Sequence, residues 1–85
     1  MRLKRGAWDG AQPRSHVLKV LRGHGVAISA PDGDYYTMVD LDGDVEVLHL
    51  PQPVLSETVA HIYRRFGELH GFEITELVAP RPKPN

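Results

Sequence analysis

The chain has 85 residues, 41% hydrophobic and 25% charged, with a formal net charge of −1 and no cysteine. That suits one small globular domain, and it excludes a disulfide scaffold and any thiolate zinc site. No apolar run approaches the ~18 residues of a membrane span. The basic N-terminus lacks a following apolar stretch, so the expectation is a cytoplasmic domain without a signal peptide.

Residues 1–13 read as a flexible basic arm, punctuated by Gly6, Gly10 and Pro13. Its Trp8 is the only tryptophan and reads as a loosely docked aromatic. Residues 14–22 read as a helix, with Ser15 as N-cap and an apolar stripe of Val17, Leu18, Val20 and Leu21. Gly23 and Gly25 stop it. A short strand over 26–29 leads into the turn Pro31-Asp32-Gly33-Asp34.

Residues 35–40 and 45–50 read as two strands flanking Asp42-Gly43, a strong hairpin signal because the tight primed turn needs positive φ. A two-residue loop there places Met38 opposite Val47, Asp40 opposite Val45 and Tyr36 opposite His49. On the other face Tyr35 meets Leu50, Thr37 meets Leu48 and Val39 meets Glu46. The face of Met38, Val45 and Val47 is expected against the helices. Tyr35, Val39, Leu48 and Leu50 are then left on an outer face.

Pro51-Gln52-Pro53 ends the last strand. Ser56 is the expected cap of a second helix, with Glu57 at its positive end. Val59, Ile62, Tyr63 and Phe66 follow at helical spacing, and Gly67 or Gly71 breaks the helix. Residues 72–78 read as a helical turn in preference to a strand, and residues 80–85 as a Pro-rich tail. The whole predicts an α+β two-layer sandwich, α-β-β-β-α. One domain over 14–79 holds an antiparallel three-stranded meander with both helices on one face.

Charge is strongly segregated. Residues 23–63 contain no Lys or Arg but carry Asp32, Asp34, Asp40, Asp42, Asp44, Glu46 and Glu57. An acidic hairpin repels phosphate and suits a basic protein surface. The expected protein-contact residues are Tyr35, Thr37, Asp40, Asp42, Asp44, Glu46, Leu48 and Leu50. The alternative is RNA binding through Arg14, Lys19, Arg22, Arg64 and Arg65 on the helices. Asp40, Asp42 and Asp44 are spaced like the start of a calcium loop, but Val45 and Pro51 stand where that loop needs glycine and glutamate. The five histidines show no ligand spacing, so no metal and no cofactor is expected. The chain is expected to be a monomer or a weak homodimer.

Three segments carry a family resemblance: Val20-Leu21-Arg22-Gly23-His24-Gly25-Val26, Val45-Glu46-Val47 with His49, and 58–67, TVAHIYRRFG. In order and spacing they resemble HicA-like (YcfA-type) proteins. The resemblance implies an α-β-β-β-α fold like a double-stranded-RNA-binding domain, an antitoxin partner, and mRNA cleavage by a histidine in a G-S-H segment. Here that segment is Gly33-Asp34-Tyr35, so Tyr35 occupies the histidine position. A phenol with pKa near 10 is a poor general base at neutral pH. The expected function is therefore a non-catalytic binding module. The alternative is an endoribonuclease toxin using a non-standard residue, with His49 as the candidate.

Overall fold

A computed structural model describes residues 10–80; Trp8 and the rest of 1–9 and 81–85 lie outside the described residues. Helix α1 spans Arg14–Gly23 and buries Val17, Leu18 and Leu21. Its cap is not Ser15. Pro13 precedes the helix in extended conformation, and its carbonyl accepts from His16 and Val17. The Arg14 N–H bonds Gln52 Oε1 at 2.7 Å, so a distant loop satisfies one of the free amides of the first turn.

Three antiparallel strands follow: β1 (Ala27–Ile28), β2 (Tyr35–Val39) and β3 (Val45–His49), in the spatial order β1-β2-β3. The β2–β3 register is one residue away from the two-residue-loop expectation. Tyr35 pairs His49, Tyr36 pairs Leu48, Thr37 pairs Val47 and Val39 pairs Val45. The loop has three residues, Leu41-Asp42-Gly43. Asp40 and Asp44 are joined by the Asp40 N–H at 3.0 Å, and Gly43 returns its N–H to the Asp40 carbonyl. Gly43 takes φ 85°, as a type I turn closed by a bulge requires. A one-residue change reverses which face each side chain of β3 takes. Leu48 and Leu50 therefore enter the core, and Val45 and Val47 point outward.

Helix α2 runs Ser56–Ile62, becomes π-helical over Tyr63–Gly67 and finishes as Glu68–His70. Ser56 lies inside it, after an extended Leu55, and makes no capping bond; Glu57 does sit in the first turn. The helix passes through Gly67 and stops at Gly71, which adopts the left-handed conformation. A Cβ at Gly67 would lie 2.6 Å from the Tyr63 ring, so the wide π turn and the glycine let that ring lie on the backbone. A 3-10 turn, Ile74–Leu77, follows where the helical turn is expected, held by reciprocal Glu73 and Glu76 caps.

Both helices cover one face of the sheet. Val17, Leu18, Leu21, Val59, Ile62 and Phe66 share one cluster with Tyr36, Met38, Leu48 and Leu50. The end of the predicted arm belongs to this domain: Gln12 is buried and exchanges two backbone bonds with Val54 at 2.8 Å. Its side-chain oxygen accepts the Ala79 N–H at 2.9 Å. Among the described residues, no helix is long and apolar enough to cross a membrane.

Candidate functional site

Among the described residues, the face of the sheet away from the helices has no element over it. Alternation along β2 and β3 puts Tyr35, Thr37, Val39, Val45, Val47 and His49 on that side. Tyr35 is 55% exposed, Val45 62% and Val47 57%. Leu41 at the hairpin tip is exposed as well. Leu48 and Leu50, expected in this surface, are buried and withdrawn from it.

At one end of the face four side chains form a chain of contacts. The Tyr35 and His49 rings lie 4.8 Å apart between centroids. His49 Nε2 is 4.0 Å from Asp34 Oδ2, and Asp34 Oδ1 accepts from Arg14 Nη1 at 2.9 Å. The same Arg14 nitrogen donates to the Leu50 carbonyl at 3.0 Å. His49 stays about half exposed. The cross-strand pairing thus sets an imidazole directly opposite Tyr35.

The acidic hairpin is divided between the two sides of the sheet. Asp40 is buried: its Oδ1 accepts the Asp42 and Asp44 amides at 2.8 and 3.0 Å, and its Oδ2 accepts Arg65 Nη1 at 2.7 Å. Arg65 Nε reaches Glu46 Oε1 at 2.9 Å, and His61 Nε2 lies 2.9 Å from Glu46 Oε2. Burial pushes the Asp40 carboxyl up, but the Arg65 bond and the two amides outweigh it and hold it below its ordinary 3.8. The Asp40 bond likewise raises the Arg65 guanidinium, against its desolvation. Asp40 is therefore a buried structural acid facing α2, and Glu46, partly exposed, is tied to the same helix. Asp42 and Asp44 remain exposed at the tip.

Asp40, Asp42 and Asp44 bring carboxylate oxygens within 4.8 Å of one another. Asp40 has both oxygens engaged in hydrogen bonds that brace the loop.

The expected RNA-binding cations are divided too. Arg14 and Arg65 are tied to acids, while Lys19, Arg22 and Arg64 are exposed. Other histidines brace the fold. His24 Nε2 meets Glu76 Oε1 at 2.8 Å, and His16 Nε2 meets the Glu76 carbonyl at 2.9 Å. His70 Nδ1 donates to the His24 carbonyl, and its Nε2 accepts the Leu41 N–H. Sequence reasoning missed Val45, Val47, Asp34 and Arg14 as neighbours of this face. The signal for the first two was the loop Asp40-Leu41-Asp42-Gly43-Asp44, which also reads as a three-residue hairpin with glycine at the bulge. No signal along the chain joins Arg14 to Asp34. No protein-family model, curated protein or solved structure matches this chain.

Proposed function

We propose that this chain is a small non-catalytic protein-binding module, a degenerate relative of HicA-type toxins, that meets its partner through the open face of its sheet. One observation carries the reading: Tyr35, Val45 and Val47 are each more than half exposed on a face that no element among the described residues covers. Asp42 and Asp44 at its rim favour a partner with an apolar centre and a basic border, and an antitoxin is the partner the family resemblance implies. Affinity capture from the native host is the test. Tyr35→Ala with Thr37→Glu should abolish capture of a stoichiometric partner, and Asp42→Asn with Asp44→Asn should weaken it and flatten its salt dependence. Capture that survives both pairs of changes overturns the reading.

A second reading rests on His49. It lies opposite Tyr35, where the family resemblance places a catalytic histidine one strand away, and a carboxylate stands 4.0 Å from its Nε2. An exposed imidazole there suits a general base that takes the 2′-hydroxyl proton as that oxygen attacks the neighbouring phosphorus; the P–O5′ bond breaks and the departing 5′-oxygen takes a proton from water. Induced expression distinguishes the two. Growth arrest relieved by His49→Ala supports an endoribonuclease, and harmless overexpression dismisses it. RNA binding by the helices falls to Lys19, Arg22 and Arg64, because Arg14 and Arg65 are engaged with acids.

A further inference from the structure

We infer that β3 is a pairing edge for a second copy of this chain, which joins two three-stranded sheets into one of six strands. This uses the backbone edge of β3; it shares Val45 and Val47 with the face proposed above, but not Tyr35 and Thr37.

β3 is the outer strand of the sheet, and its far side carries no strand among the described residues. The phase of the ladder shows which groups that side presents. Leu50 donates to the Asp34 carbonyl and Asp40 to the Asp44 carbonyl. Even-numbered residues of β3 therefore bond inward to β2, and the N–H and C=O groups of Val45, Val47 and His49 point off the edge. The opposite margin, β1, has only two residues.

The usual guards are missing. Residues 44–50 contain no Pro, Lys or Arg. The charged side chain within the strand, Glu46, is turned beneath the sheet and held by Arg65 and His61. What flanks the edge on the outer face is Val45 and Val47.

The pairing is self-complementary in one direction. A two-fold axis through Val47 sets Val47 against itself and Val45 against the second copy's His49. Three residue pairs then exchange about six backbone bonds. Glu46, already neutralised, faces the second copy's Leu48. Antiparallel pairing also separates the acidic tips. Asp44 lies opposite the second copy's Leu50, six residues from the second copy's Asp44. That is about 20 Å along the strand, beyond the ~8–10 Å reach of screened charge. Parallel pairing would set the two acidic tips side by side, so charge selects the antiparallel arrangement.

Sedimentation of the full chain over rising concentration tests the inference, together with amide hydrogen exchange. The mass should rise from the monomer's 9.5 kDa toward twice that value. The Val45, Val47 and His49 amides should gain protection with concentration, while those of Glu46 and Leu48 stay constant. Val47→Lys changes an exposed side chain and should leave the circular dichroism spectrum unchanged. It puts like charges at the axis and should raise the dissociation constant about fivefold. A chain that stays monomeric, a dimer that forms without protecting those three amides, or protection seen only on adding a different protein each overturns the inference. The face reading is judged separately, on Tyr35 and Thr37 of the central strand.

Discussion

Asp40 uses two oxygens to close a turn and to fasten that turn to a helix. Its Oδ1 takes two loop amides and its Oδ2 takes Arg65. The folded state holds this carboxyl below its ordinary 3.8, so its contribution is full above that value and is lost as pH falls below it through the lower folded-state value. Glu76 behaves in the same way, lowered from 4.5 by the Glu73 amide and by His24. The expected outcome is that Asp40→Asn lowers the urea midpoint at neutral pH, because Arg65 loses its acceptor. It should also make the fall in stability below about pH 4 shallower. Urea titrations of both proteins from neutral pH to about 2.5 check this. A wild-type-like acid limb in the variant would contradict the assignment. In the sequence Asp40 is one aspartate of five in the hairpin region. Only its position at the start of a three-residue loop distinguishes it from Asp42 and Asp44, which remain exposed.

Two elements depend on glycine for different reasons. Gly43 is needed for its backbone, at φ 85° with open space around it. Gly43→Ala should cost about 1–2 kcal/mol through strain alone, and it presses the loop toward another register. Gly67 is needed for room, since its missing Cβ would meet the Tyr63 ring at 2.6 Å and the Phe72 carbonyl at 3.2 Å. Helix propensity favours alanine over glycine by about 1 kcal/mol, but overpacking costs about 1–3 kcal/mol. Gly67→Ala is therefore expected to be destabilising, and Tyr63→Ala beside it should recover part of the loss. A double-mutant cycle by chemical denaturation reads the coupling, and strict additivity would show that the ring does not depend on this glycine. The glycines in the sequence mark breaks well; Gly71 does end α2. Gly67 looks the same in sequence, and only the packed Tyr63 ring gives it a different role.

The whole domain is small, and its ends hold it together. Gln12 pairs with Val54 and accepts from Ala79, so segments 67 residues apart in sequence meet on one side chain. Gln12→Ala leaves the half-buried Ala79 amide without that acceptor and should cost about 0.5–1.5 kcal/mol. For a domain of this size each kcal/mol lowers the melting temperature by about 4–8 °C. Scanning calorimetry checks it; an unchanged melting temperature would return residues 10–13 to the predicted arm. An isolated glutamine between Ala11 and Pro13 carries no local signal of burial. Its importance comes from what Val54 and Ala79 bring to it.

Element order, strand number and the two-layer α+β arrangement were determined by the sequence alone, because they follow from local periods and turn residues taken in chain order. The spacing of Val59, Ile62 and Phe66, the Asp42-Gly43 pair and the prolines at 51 and 53 each act over a few residues. The identity of the open face was not legible in this way. It was decided by the tertiary structure, because the hairpin loop takes three residues where two also fit, and a single residue of register exchanges Leu48 and Leu50 for Val45 and Val47. The ion pairs that bind Asp34, Asp40 and Glu46 to Arg14 and Arg65 join residues 20 or more positions apart, except Glu46–Arg65 at 19. No local preference encodes such a pair; it forms when packing the helices on one side of the sheet brings the acids and guanidinium groups to a shared, partly exposed boundary.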